Sequence, residues 1–260
     1  MPHFPAARAA RGSVGRVMNH LNSTEHLANR YHAMRHGQSK ANEAGVIVSR
    51  IETDRGGDWG LTELGRRQAL SAAERCGLPA DTVICSSDFA RAQQTAEVMR
   101  AHLDVPAVTA AEALRERCFG ELDGTSAANY AQVWKADNAD PGHADGGIES
   151  AAAVLDRTTA LIADLERRYS GRDILLVSHG DTLQIMQAGF LKMDPSEHRR
   201  LPQLDTAEIR QLGLAEGPGP VQPPLFLRAE EINAPPVYLR LAVPQFLDGL
   251  PARTNAVVPV

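Results

Sequence analysis

His32 and His36 stand four positions apart in the stretch Tyr31-His32-Ala33-Met34-Arg35-His36-Gly37-Gln38-Ser39-Lys40-Ala41-Asn42. An interval of four puts two side chains on one face of a helix, and any even interval puts them on one face of a strand. The spacing alone therefore admits a metal-ligand pair or a single reactive histidine. A hydrolytic zinc site would want the His-Glu-x-x-His order and a third ligand; Ala33, Met34 and Arg35 intervene instead, and Arg35 repels a cation. The nucleophile reading uses every neighbour of His36. A neutral imidazole attacks phosphorus, Arg35 offers a planar donor fork to phosphoryl oxygens, and Gly37 removes a side chain that would block close backbone approach. Ser39 and Asn42 add neutral donors to the same neighbourhood.

A second His-Gly pair, in Ser178-His179-Gly180, follows the apolar run Ile174-Leu175-Leu176-Val177. Taken singly, His179 could merely cap a helix. In an open α/β sheet, however, ligands gather at the carboxyl ends of the strands, and two strand-end His-Gly pairs are expected to face one pocket.

The elements that must position these residues are legible as alternating apolar runs and helical periodicities, the pattern of a sheet with crossover helices. The expected order is a strand at 31–34, a helix opening at 60–63 and running to Ala73 with Thr62 as N-cap, a strand at 82–85, and a helix over 88–99. A long helix at 151–169 ended by Gly171, a buried strand at 174–177 and a helix near 182–189 follow. The first 29 residues carry Arg8, Arg11 and Arg16 with no acid before Glu25 and lack a continuous apolar core; a flexible N-terminal leader is expected there, with a transit peptide as the alternative. Beyond Leu214 the chain is too proline-rich for a helix or central strand, so residues 215–260 are expected to form an extension.

Hydrophobic residues make up 43% of the 260, and no apolar run is long enough to span a bilayer. The net charge of −5 argues against nucleic-acid or membrane partners, so an anionic ligand would need local arginines. Three cysteines, Cys76, Cys85 and Cys118, without CxxC spacing suit a reducing compartment and a cytoplasmic location.

With Arg35-His36-Gly37, Ser39 and Asn42, the segments "GLTELGRRQA", "SSDFARAQQTAEVM", "LRERCFGELDG", "GGIES" and "LLVSHGDTL" occur in order, and over about Arg30 to Leu214 the chain resembles the histidine phosphatase superfamily, also called phosphoglycerate mutase-like. The resemblance implies a three-layer α/β/α sandwich with a mostly parallel sheet, occupying residues 30–214, and a phosphohistidine intermediate formed without metal or cofactor. His36 then matches the nucleophile, with Arg35, Arg91 and His179 in the phosphate pocket and Ser39, Asn42 and Gly180 beside it. Arg91, near a helix start where the dipole also favours an anion, would otherwise read as a solvated helix arginine. Glu116 matches the proton donor; on residue type alone it could equally be a surface glutamate paired with Arg115 or Arg117. The expected partner is a small phosphorylated substrate; the sequence leaves the oligomeric state open, a homodimer included.

Two departures from the family's mutases favour hydrolysis: Phe119 stands where a tyrosine is expected, and the segment 125–147 holds Lys135 but no arginine pair. Mutase-type transfer and a non-catalytic phosphate-binding scaffold are the alternatives. Between Glu43 and Gly60 a long loop with Arg50 and Arg55 is expected near the pocket mouth, either binding an additional acidic group or covering the site. Cys85 to Arg91 also satisfies the Cys-x5-Arg pattern of thiol phosphatases, but without the glycine such a cradle needs and with Asp88 facing the anion.

Overall fold

Period-2 alternation in three apolar runs gives the sheet two buried faces. The computed structural model describes residues 17–54 and 57–215. Its strands are β1 (Arg30–Arg35), β2 (Val83–Ser86), β3 (Val108–Ala110), β4 (Asp173–Ser178) and β5 (Ile209–Leu212), in the spatial order β3-β2-β4-β1-β5. The β3-β2-β4-β1 pairs are all parallel, and β5 closes the far edge antiparallel to β1.

Seven α-helices appear among the described residues: α1 (Lys40–Ala44), α2 (Ile51–Asp54), α3 (Glu63–Arg75), α4 (Ala90–Leu103), α5 (Tyr130–Ala139), α6 (Ala151–Arg168) and α7 (Gly180–Phe190). Tyr31, Ala33, Cys85, Ile174 and Leu176 pack with Ile162, Leu165, Leu183 and Phe190 of α6 and α7. The alternate residues Met34, Ile84, Leu175 and Val177 pack with Ala72, Ala92, Ala96 and Met99 of α3 and α4. These two cores are the two interfaces of an α/β/α sandwich, as the motif pattern implies. Strand β4 lies between neighbours and under helices on both sides, and all six of its residues are buried.

Helix starts follow local chemistry. The Thr62 hydroxyl accepts the Gly65 N–H at 3.0 Å and the Ser150 hydroxyl accepts that of Ala153 at 3.1 Å, capping α3 and α6. Helix α7 starts at Gly180, directly after β4 and two residues earlier than the sequence suggests. The short edge strands β3 and β5 were not expected from the sequence.

Register decides where the site falls. In the parallel β1–β4 pair Arg35 lies opposite Ser178, so His36 and His179 leave the sheet at the same level. The His36 N–H donates to Ser178 O, and the Ser87 N–H, at the end of β2, donates to Val177 O, both at 3.0 Å. Three chain segments thus converge at the carboxyl edge of the sheet.

The packed region begins before Arg30. Leu21 joins the α6–α7 core, and Asn19 Nδ2 donates to Gly189 O at 3.0 Å, so residues 17–29 lie against the domain where a leader was expected. Residues 1–16 of that leader, Arg55, and residues 216–260 of the extension lie outside the described residues. No helix among the described residues is long and apolar enough to cross a membrane.

Candidate active site

At the carboxyl edge of the sheet a cavity of about 240 Å³ is lined by Arg35, His36, Ser39, Asn42, Arg91, Glu116 and Gly180. Seven of the eight residues picked from sequence therefore share one pocket wall. The eighth, His179, stands directly behind: its ring centroid is 5.1 Å from that of His36, at an interplanar angle of 62°.

His36 is 3% exposed. Its Nδ1 lies 2.7 Å from Gly37 O, an acceptor only, so Nδ1 carries the proton. That leaves the lone pair on Nε2, which accepts from Arg91 Nε at 3.2 Å. Burial, reinforced by the charges of Arg91 and Arg35, holds the imidazole well below the usual histidine range, so the ring is neutral at physiological pH. His179 is held low by burial and by Arg91 in the same way, and its Nε2 pairs with the Ser87 hydroxyl at 2.9 Å.

Arg91 is the second residue of α4 and is fully packed rather than solvated. Its Nη2 donates to Val48 O at 2.9 Å, its guanidinium lies 4.8 Å from the Phe89 ring centroid, and its Nη1 stands 3.5 Å from Asp54 Oδ1. Asp54, 4% exposed, also accepts the Ala90 N–H at 2.7 Å. Arg35 is tethered by one hydrogen bond, from Nη1 to Leu204 O at 2.9 Å, which leaves donors of its fork for an anion in the pocket.

Glu116 is 9% exposed and pairs with neither neighbouring arginine: Arg115 engages Asp88 and Glu112, while Arg117 engages Asp137 and Asp181. Its Oε1 accepts the N–H groups of Arg117 at 3.0 Å and Thr182 at 3.2 Å, leaving the other oxygen for the pocket. Burial, then the charge of Asp181, pushes this carboxyl above the usual range, which suits a group that must hold a proton.

Ser39 and Asn42 line the cavity but spend polar groups on each other. The Ser39 hydroxyl accepts the Asn42 N–H at 3.2 Å and the Asn42 carbonyl oxygen accepts the Ser39 N–H at 3.0 Å, a capping box that starts α1. A Cβ on Gly180 would sit 2.4 Å from Gln203 Nε2, so a side chain there would displace the Gln203 amide from the pocket. Gly37 is under a packing constraint: its Cβ would lie 2.4 Å from Gly65 O, and one on Gly65 would lie 2.0 Å from Gln38 O.

Sequence reasoning missed Asp54, Asp181, Tyr130, Trp134 and Gln203. The last four line the cavity. Asp181 was in view within "SHGDTL", directly after the recognised His-Gly pair. The others sit in segments without periodicity. The loop expected to carry specificity supplies Val46 and Val48 to the pocket and Asp54 behind it, whereas Arg50 is exposed and lines a separate cavity.

The rival chemistries separate in space. His32 Nε2 pairs with Asp173 at 2.9 Å, at the amino end of β4 and therefore at the end of the sheet opposite His36. Cys85 is 2% exposed inside the α6–α7 core, where burial pushes its thiol up to about 11. Of the segment 125–147, Ala127, Tyr130 and Trp134 line the pocket and Lys135 does not.

Fold and site together define an α/β protein with a pocket that gathers a buried histidine, two arginines and a buried glutamate. The family model described as histidine phosphatase superfamily (branch 1) matches residues 32–222. The glucosyl-3-phosphoglycerate phosphatase of Mycobacterium tuberculosis is 30% identical over 210 residues, which cover 74% of this chain and 88% of that protein. The metal-independent phosphoserine phosphatase of Arabidopsis thaliana is 30% identical over 158 residues, 58% of this chain and 64% of that protein. The structure of a mycobacterial glucosyl-3-phosphoglycerate phosphatase with VO3 is similar at a TM-score of 0.59 and 29% identity, covering 70% of this chain and 91% of that one. The chain belongs to the histidine phosphatase superfamily and is an enzyme of that phosphatase class.

Proposed function

We propose that the protein is a metal-independent phosphomonoesterase that hydrolyses a small phosphorylated metabolite through a phosphohistidine on His36. The observation that carries this reading is the tautomer of His36: Nδ1–H is committed to Gly37 O, so Nε2 presents its lone pair in the cavity that Arg35 and Glu116 share.

In the first half-reaction the Nε2 lone pair forms a bond to phosphorus as the ester P–O bond breaks, and Glu116 gives its proton to the departing alkoxide. Gly37 O, still accepting from Nδ1–H, stabilises the positive charge that develops on the ring. Arg35 and Arg91 face the equatorial oxygens, where charge accumulates. In the second half-reaction water gives a proton to the Glu116 carboxylate, attacks phosphorus and releases His36.

Hydrolysis is favoured over mutase-type transfer because the segment 125–147 contributes no cation to the pocket among the described residues. Phe119, fully buried and edge-on to Tyr130 at 4.7 Å, cannot donate to a second substrate orientation. The relatives' printed activities, on phosphoserine and on glucosyl-3-phosphoglycerate, are consistent with a phosphomonoester substrate. The test is a phosphomonoester panel assayed with chelator, wild type against His36→Ala. Chelator-resistant turnover lost in the variant is expected; chelator-sensitive turnover, or full activity in the variant, contradicts the proposal.

A further inference from the structure

Asp181 is a carboxylate in the wall of the same cavity as Glu116, and the two are linked through adjacent backbone, since Thr182 donates to Glu116 Oε1. Nothing in the two half-reactions uses it. It is nonetheless 3% exposed and held from several sides: Trp134 Nε1 of α5 donates to Oδ1 at 2.8 Å and Arg117 Nη1 to Oδ2 at 3.2 Å. His198 Nε2, at 3.7 Å, and Arg199 Nη1, at 3.9 Å, approach Oδ1 from the segment before Leu201.

Charge bookkeeping explains why Arg117, which adjoins Glu116 in the chain, does not ionise it. The Arg117 guanidinium is completely buried and bidentate to the equally buried Asp137, at 2.5 and 2.7 Å. Asp137 therefore neutralises Arg117, which leaves the Asp181 charge opposed only by His198 and the partly exposed Arg199, at 3.7 and 3.9 Å. Facing Glu116 across the pocket is Arg91, whose opposing effect Asp54 tempers. On the other side of Glu116 a second cavity of about 620 Å³ brings Arg115 and Arg157, themselves paired with Asp88 and Glu149. Each arginine near Glu116 except Arg35 thus has its own carboxylate, which leaves Asp181 the negative group that acts on the acid.

We propose that Asp181, backed by the Arg117–Asp137 pair, is the positioning residue that keeps Glu116 in its proton-donating form. The proposal rests on Glu116 being the proton donor of the preceding section. Two carboxyl groups in one site are thereby driven apart: burial alone would raise Asp181, but His198 and Arg117 hold it below the usual range, whereas Glu116 stands above it.

The test is the pH profile of kcat/KM for an alkyl phosphomonoester, with p-nitrophenyl phosphate, whose leaving group needs no proton, run in parallel. The alkaline limb with the alkyl ester reports proton loss from Glu116. Asp181→Asn and Asp137→Asn each remove one negative charge, so each is expected to move that limb about 1 pH unit toward acid. Each should also lower kcat/KM about tenfold more for the alkyl ester than for p-nitrophenyl phosphate, and Asp181→Glu should restore the limb. A limb unmoved, or moved toward alkali, in a variant with wild-type circular dichroism overturns the proposal; Asp137→Asn alone decides it should Asp181→Asn not fold. Glu116→Gln separates the two readings. If the alkaline limb survives in it, the donor assignment is wrong; if the limb disappears there but stays put in the aspartate variants, only the role of Asp181 fails.

Discussion

Arg91 Nε donates to His36 Nε2 at 3.2 Å, so the guanidinium covers the lone pair that is to attack phosphorus. In the proposed mechanism an incoming phosphoryl oxygen takes over that donor, which places phosphorus against Nε2 in the same movement. Lysine cannot reproduce this, because its single nitrogen cannot span both His36 Nε2 and Val48 O, which separate nitrogens of the Arg91 fork reach at 3.2 and 2.9 Å. Arg91→Lys should lower kcat/KM about 100-fold with the fold intact, as for loss of one oriented donor to a transition-state oxyanion. Steady-state kinetics beside circular dichroism check this, and near-wild-type turnover would remove Arg91 from the pocket's chemistry.

Asp54 supplies the buried counter-charge of Arg91 at 3.5 Å. Asp54→Asn leaves that charge uncompensated and should cost about 3 kcal/mol of stability. Inorganic phosphate, an anion the pocket is expected to bind, should then raise the melting temperature of the variant more than that of wild type. Equal stabilisation of both proteins would mean that Asp54 does not balance Arg91.

The buried histidines make stability depend on pH with a definite sign. His36 and His179 have folded values well below the ordinary 6.5, so below pH 6.5 the unfolded chain binds their protons and the native state does not. Stability must fall as pH drops through that window, by up to about 1.4 kcal/mol per histidine for the first unit. Glu116 acts in the opposite sense, because its raised value lets the native state hold a proton that the unfolded chain releases above 4.5. Thermal melts between pH 7.5 and 5.5 should show a falling midpoint, shallower in His179→Gln and steeper in Glu116→Gln. A midpoint indifferent to pH would mean that the histidines are not held neutral.

Gly37 and Gly65 interlock the strand-end loop with α3. Gly37→Ala puts a Cβ 2.4 Å from a backbone oxygen that no rotamer change can move, so a loss of about 3 kcal/mol or more is expected in denaturant titration. Tolerance of the alanine would show that the loop can shift, and the fixed orientation of His36 would then need another cause.

The sequence made the interior legible where one physical cause acts locally. Short apolar runs at 31–34, 82–85 and 174–177 mark strands β1, β2 and β4, and Thr62 announces α3 through its cap. Strands β3 and β5 escaped because three or four partly exposed residues at a sheet edge carry no apolar signal. The His-Gly pairs could be ranked because each ends an apolar run, but their convergence depends on the Arg35–Ser178 register, which only pairing sets. Asp54 and Asp181 are buried carboxylates whose contacts Arg91 and Arg117 lie 37 and 64 positions away in the chain, and no local pattern announces such a partner. The packing constraint on Gly37 comes from Gly65, 28 positions away, which no local pattern announces.

The central claim is a covalent phosphoryl group on His36 Nε2. Rapid acid-free quenching of the full-length protein with 32P-labelled phosphomonoester, followed by peptide mapping, tests it directly. An acid-labile, alkali-stable label is expected on the peptide containing His36, bonded at Nε2 because Nδ1–H is held by Gly37 O, and absent from His36→Ala. Label on Cys85, label retained in His36→Ala, or turnover through no phosphoenzyme would contradict it.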